Sequence, residues 1–499
     1  MPGCDFTRRD FLRWTGVAAA SPFFARRALL SGVGLSATGR DDISPVNLEL
    51  VTLAEDHAII TWYTGYTGTD DGTGRMEPAP ADGAVYWGTH PQRLRRVTES
   101  RWPDTPYHYV ELEHLEPGQT YFYQARSNGK LVPPTPFTLI AGNPVGTTDS
   151  GLTSGGPYSF TTPEPPPGRS LFSVALCNDL HMGETTAGLV GSIPGVVGIK
   201  QAPGLPPYPE VMLESLVKDT RRLGASFLLA AGDITAEAVP VDLSHAGRLL
   251  GRFGEYRKDY FVVRGNHDRA HAGAPYAACR VGQWQGNDCF HDQFFPGDEP
   301  TYFSRNLHGL RVLGLDTYDK PGNGSDAGAL SADQLAWFRA ELQLYRDQPT
   351  IVFGHHPLVV EKSPFPITAS NTIEAGQVAT ILDDYSKHPG LFLHHAGHTH
   401  RNKRTISPIA PNVTMQEIAA GKEYPGGFSL LRLHTGGYAL NFYKTRSRQA
   451  RAWSERSRQE ILGFWPQFAL GSDVADRNTM VARDLSGLRP VRHRQPATH

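Results

Sequence analysis

Tyr260-Phe261-Val262-Val263-Arg264-Gly265-Asn266-His267-Asp268 is the stretch on which the reading of this chain turns. Four consecutive apolar residues suit a strand buried on both faces. Gly265 to Asp268 then set polar and ionisable groups at that strand's carboxyl end. The pattern repeats. Residues 171–176 lead to Asp179 and His181, residues 228–231 to Gly232 and Asp233, and residues 391–395 to Gly397, His398, Thr399 and His400. His355-His356-Pro357 adds two more imidazoles. Open α/β sheets bind ligands beyond the carboxyl ends of their strands, so the repeated placement points to one shared site.

Between these words the periodicity changes. Val211, Leu213, Leu216, Val217, Thr220 and Leu223 approximate the spacing of an amphipathic helix over 210–223. A second helix is predicted with Ser331 as N-cap and Leu335, Phe338 and Leu342 on one side. Strand, helix and strand in alternation imply an α/β sandwich with helices outside.

The candidate residues also share a chemistry. Aspartate, histidine and asparagine without thiolate suit a hard or borderline cation bound through oxygen and imidazole. In an extended segment residues two apart face the same side, so Asp179 and His181 can converge on one ion. His398 and His400, with Cα atoms about 6.5–7 Å apart at strand rise, suit two neighbouring ions.

Set and order together resemble the calcineurin-like metallophosphoesterases, the superfamily that includes the purple acid phosphatases. The resemblance covers about 170–445 and implies a four-layer αββα sandwich. It implies two divalent or trivalent transition-metal ions, drawn from Fe, Mn, Zn or Co. Asp233 would bridge them, with Asp179, His181 and His400 at the first ion and Asn266, His355 and His398 at the second. His267 would face substrate, with Asp268 orienting its ring, and His356 and Arg269 are candidates for substrate contact. The implied reaction is in-line attack on phosphorus by a hydroxide bridging the ions. A phosphomonoester is the first expectation and a phosphodiester the alternative. Purple members carry a tyrosine three residues after the bridging aspartate; Ala236 stands there in this chain, so a non-purple member is expected. A non-catalytic surface protein is the rival class, which a missing ligand would favour; every ligand of the pattern is present.

Residues 46–162 read as all-β. Residues 110–115, Pro117-Gly118 and 120–124 give strand, turn and strand, a sequence that resembles a fibronectin type III sandwich, with a tyrosine placed to anchor a corner. Prolines at 163–168 form a linker, the catalytic domain is expected over 169–445, and 446–499 reads as a docked tail.

Within residues 1–40, Arg8-Arg9 followed by the mildly apolar stretch 14–24 resembles a twin-arginine export signal. That implies a periplasmic, secreted or surface-associated protein. Cys279 and Cys289 could pair there or remain thiols, and Cys177 reads as a buried small hydrophobe. With 48 basic and 50 acidic residues the formal net charge is −2, which gives no basic field for nucleic acid. No apolar run approaches the roughly 18 residues of a membrane span.

Overall fold

A computed structural model describes residues 42–69, 75–134, 156–188, 198–269, 279, 288–321, 326–359, 372–458 and 466–491, with short strands at Phe137–Thr138 and Pro144–Val145. The twin-arginine segment lies outside the described residues, as does most of the apolar patch at 461–468.

Strands from Ile43 to Thr161 build the N-terminal β-sandwich. One sheet orders Ile43–Leu53, Ala58–Tyr66 and Tyr107–Leu112; the other orders Tyr158–Thr161, Thr120–Ser127, Ala84–Gly88 and Arg96–Glu99. Side-chain alternation explains both the core and the neighbour. Leu48, Leu50, Ile60, Trp62, Val110 and Leu112 point inward to the sandwich, whereas Val51, Ile59 and Tyr109 belong to the core of the next domain. The three-stranded sheet is therefore covered on both faces, which is why its strands read as apolar runs. The expected corner is present: Tyr121 Oη accepts from the Glu116 amide at 2.8 Å.

The second domain packs two six-stranded sheets face to face. The first runs Tyr260–Val263, Phe227–Ala231, Ser170–Cys177, Gly427–His434, Gly437–Lys444 and Asn478–Ala482. The second runs Phe303–Leu307, Leu310–Gly314, Thr350–Phe353, Leu391–Ala396, Thr414–Glu417 and Lys403–Ile406. Val174, Leu229 and Phe261 of the first meet Val312, Phe353 and Leu393 of the second. Helix Tyr208–Arg222, close to the predicted bounds, opens with Pro209 in its first turn and ends on Arg221 and Arg222, which complement the helix dipole. Its Leu213 and Leu216, with Leu243 and Leu249 of Pro240–Leu250, cover the first sheet. Helices Ala332–Leu344 and Ala375–Ser386 cover the second through Phe338, Leu342, Ile381 and Tyr385. Ser331 caps as expected, its hydroxyl accepting from the Gln334 amide at 3.2 Å. The result is the four-layer αββα arrangement.

Two expectations need correction. The boundary at 445 does not hold, because Asn478–Ala482 is the outer strand of the first sheet, paired with Gly437–Lys444. Helix Arg448–Ser457 is likewise built in: Trp453 is buried and stacks on Tyr208 at 4.0 Å between ring centroids. The proline-rich linker also does not separate independent bodies. Glu49 of the β-sandwich is buried against Lys444 and accepts from Arg458 at 3.0 Å, Tyr424 Oη at 2.6 Å and Thr61 at 2.9 Å. Arg432 grips Glu55 through two bonds of 2.5 and 2.7 Å, and Arg477 donates to the carbonyls of Val51 and Leu50. Composition marks where the chain changes register, but only side-chain partners show whether two bodies are fused.

Among the described residues no helix is long and apolar enough to cross a membrane. Cys279 and Cys289 form a disulfide, and Cys177 is buried and unpaired with another cysteine.

Candidate metal centre

The motif loops are tied together by their own backbones. The Asp233 carbonyl accepts from the Leu180 and His181 amides at 2.8 and 2.9 Å, and the Gly232 carbonyl from the Asp179 amide at 3.1 Å. A side chain at Gly265 would collide with the Asp233 carboxylate, so only glycine lets these loops approach.

Five inferred ligands hold a left-handed backbone: Asp179 (φ 50), His181 (φ 45), Asp233 (φ 48), His398 (φ 66) and His400 (φ 51). The pairs Asp179/His181 and His398/His400 therefore do not converge by extended-strand alternation as expected; each residue is turned by a positive φ. Such conformations cost of order 1–3 kcal/mol each and cluster at functional sites. In the last loop the intervening residues anchor the turn. Thr399 donates to Glu417 at 2.6 Å, and Arg401 grips the same buried carboxylate at 2.9 and 2.8 Å.

The seven expected ligands are all buried or nearly so, and six of them fall into overlapping clusters. Asp179, His181 and His400 form one group, and Asp179, Asp233 and His355 another; His398 joins His355 and His356. In each group the candidate atoms lie within 4.8 Å of one another. His400 Nε2 is 3.1 Å from Asp179 Oδ1, His355 Nε2 3.1 Å from Asp233 Oδ2, and His181 Nε2 3.3 Å from that same oxygen. Asp179 is common to both groups, and Asp233 Oδ2 stands close to one histidine assigned to each ion, His355 and His181, the placement a bridging carboxylate would need.

The unmet bonding of this cluster tests whether a metal suits it. Asp179 Oδ1, both His181 nitrogens, Asn266 Oδ1 and His398 Nε2 are buried with no hydrogen-bond partner among the described residues. Buried polar atoms are nearly always paired, and so many exceptions in one place fit a bound cation. The field agrees. Burial would strip a proton from His355, yet Asp233 and Asp179 push its pKa up to about 9. Burial opposes charge on His400 too, but Asp179 and Glu423 hold it well above the ordinary range. Carboxylates that hold protons on these imidazoles would favour metal cations for the same reason.

Three residues sit differently from expectation. Asp268 accepts from the amides of Gly265, Ile234 and Thr235 at 3.0, 3.1 and 2.9 Å and from the Thr235 hydroxyl at 3.0 Å. Burial and the nearby Asp233 charge push its pKa up to about 6. It pins two loops, and the His267 ring is instead held by the Ala236 carbonyl, 2.9 Å from Nδ1. His356 is fully buried with Nδ1 2.7 Å from Thr317 Oγ1 and Nε2 2.8 Å from the Asp326 carbonyl. Arg269 donates to the carbonyls of Tyr318 and Lys320 at 3.2 and 2.7 Å. Their substrate contacts were expected from adjacency to a motif, which says nothing of where a side chain finds its partner. His267 itself brings a ring nitrogen within 4.8 Å of His181 and Asp233 ligand atoms.

Sequence reading missed the layer behind the ligands. Asn178 donates to Asp179 Oδ2 at 2.5 Å, Lys422 grips Glu184 at 2.7 and 2.5 Å, and Glu423 lies 2.6 Å from His400 Nδ1. The available signal was a Lys-Glu pair one glycine beyond the apolar run 418–420.

The family model described as calcineurin-like phosphoesterase matches residues 172–402. A curated relative, "Probable glycerophosphodiester phosphodiesterase GpdQ" of Arcobacter nitrofigilis, is 25% identical over 155 residues, 30% of this chain. The match spans 47% of that relative, about half its length. Among solved structures, purple acid phosphatase PPD1 from yellow lupin (Lupinus luteus) seeds aligns over 81% of this chain and 72% of its own, at 15% identity and TM-score 0.39. A dimetal phosphatase from Danio rerio aligns over 56% of this chain and 98% of its own, at 15% identity and TM-score 0.41. The family is dimetal-dependent, and the donor set described above fits it.

Proposed function

We propose that the chain is an exported hydrolase of phosphodiesters, working with two transition-metal ions from among Fe, Mn, Zn and Co. The observation that carries the diester reading is the engagement of His356 and Arg269 with protein partners. A monoester brings a doubly charged terminal phosphate, which calls for donors beyond the ions; a diester carries one charge and does not. The name of the Arcobacter relative supports the same choice.

Asp179, His181, Asp233 and His400 would hold one ion, and Asp233, Asn266, His355 and His398 the other. Bound there, such ions lower the pKa of water and offset charge on a phosphoryl group. The chain's own residues do the rest. His267 donates its Nδ1 proton to the Ala236 carbonyl, which orients the ring so that Nε2 handles the proton passed to the leaving oxygen. Asp268 holds Gly265 and Thr235 in register, and with them Asn266 and Asp233.

Export rests on Arg8-Arg9 and is supported by the Cys279–Cys289 disulfide, which suits an oxidising compartment. The deciding experiment compares kcat/KM for bis-p-nitrophenyl phosphate and p-nitrophenyl phosphate on metal-reconstituted protein. Preference for the diester is expected. Preference for the monoester would replace this reading with a phosphatase, and inactivity on both with each of the four metals would remove the enzyme.

A further inference from the structure

The ring nitrogens that face away from the carboxylates at this centre are not treated alike. His355 Nδ1 lies 2.9 Å from the Ala231 carbonyl and His267 Nδ1 2.9 Å from the Ala236 carbonyl. His181 Nδ1 has Glu184 Oε1 at 3.8 Å, beyond hydrogen-bond reach. His400 Nδ1 lies 2.6 Å from the carboxylate oxygen Oε1 of Glu423.

Glu423 is held from both flanks. On one side the Gly421 and Lys422 amides donate to the carbonyls of Asn178 and Asp179 at 3.0 and 3.2 Å. On the other, the Tyr424 amide donates to Ser457 Oγ at 2.9 Å and Tyr424 Oη to Glu49 at 2.6 Å. Trp453 Nε1 caps the Lys422 carbonyl at 2.7 Å. A carboxylate only 2% exposed is costly to place, and the chain spends two elements on keeping this one under His400.

We infer that Glu423 is a positioning residue for the metal centre, fixing the orientation, tautomer and basicity of His400. The inference rests on the two-metal reading above. With its Nδ1–H donated to Glu423, His400 presents the Nε2 lone pair toward Asp179 Oδ1, 3.1 Å away. Two buried acceptors facing each other at that distance repel unless a proton or a metal cation joins them. A carboxylate behind the ring also raises the electron density the ring can offer, which a backbone carbonyl does more weakly. Glu423 thereby makes the Asp179–His181–His400 group the better donor of the two.

The test uses the full chain with Co²⁺, whose visible absorption reports ligand geometry, and with Mn²⁺ in equilibrium dialysis. Glu423→Ala should weaken one of two bound ions by about 10–100-fold, the usual cost of losing an outer partner, and shift the Co²⁺ bands. Glu423→Gln keeps an acceptor oxygen and removes the charge. It should restore the band positions while leaving binding weaker than wild type, and it carries the test if the alanine variant fails to fold. Wild-type affinity and wild-type Co²⁺ spectra in Glu423→Gln and Glu423→Ala would overturn the inference while leaving the metal centre standing. A wild-type chain that binds neither Co²⁺ nor Mn²⁺ would overturn the two-metal reading and this inference with it.

Discussion

At the seam between the two domains, Glu49 meets Lys444, Arg458, Tyr424 and Thr61. At the metal centre, Asp179 Oδ1, both His181 nitrogens, Asn266 Oδ1 and His398 Nε2 meet no hydrogen-bond partner among the described residues. Both places bury opposite charges in the same protein, so burial alone does not distinguish a site from a strut. What distinguishes them is how far the bonding is filled: at the seam both Glu49 oxygens have partners and Arg458 Nε alone of that set is left over, whereas several donor and acceptor atoms are left at the centre. Burial alone would raise the Glu49 pKa, but Lys444 and Arg458 outweigh it and hold the carboxyl below the ordinary range. At the centre the polar groups form a closed cluster with bonding capacity left over, the mark of a place built for something the chain does not supply.

Mutations at the two places should therefore fail in different ways. The largest effect is expected from Asp233→Asn, which removes the carboxylate close to one histidine assigned to each ion. Metal content measured by atomic emission should fall, and affinity should drop by more than the roughly 10–100-fold typical of outer partners, with activity lost. His267→Ala should leave both ions bound and lower kcat by about 10²–10⁴-fold; an emptied metal position would instead make His267 a ligand, as its closeness to His181 and Asp233 allows.

At the seam the sign reverses, with stability lost before chemistry. Glu49→Ala leaves Lys444 and Arg458 buried without their carboxylate, at a cost of about 3–5 kcal/mol. Urea unfolding should show that loss while activity per folded molecule falls far less than in Asp233→Asn. A seam variant as inactive as Asp233→Asn would dissolve the distinction. The smallest effect concerns pH. Because the folded-state pKa of Glu49 lies below its unfolded value of about 4.3, its contribution is complete above that pH and is lost as pH falls further. Glu49→Gln should accordingly flatten the loss of stability between about pH 4.3 and 2, read from midpoints of unfolding at each pH.

The same contrast explains what was legible beforehand. Motif words after apolar runs located the strand ends where the Asp and His side chains cluster, because a strand's burial and a candidate ligand's chemistry are both written within a few neighbouring residues. Ser331 and Tyr121 were equally local, each meeting a partner three to five residues away. Glu423 and Glu49 were not. Glu49 pairs with residues 375 and 409 positions distant, and no window of sequence holds both ends of such a bond. Asp268 misled for a subtler reason: it neighbours His267 in the chain, but its acceptors are filled by the loop carrying Asp233.

The left-handed backbone at Asp179, His181, Asp233, His398 and His400 carries a consequence for inheritance. Glycine adopts that conformation at no steric cost, whereas Asp and His tolerate it at some cost. A lineage that had stopped using the centre would gain stability by drifting toward glycine at each of the five. Each of the five therefore trades backbone ease for a side chain that glycine cannot supply, and a glycine in its place would relieve the angle while removing the donor.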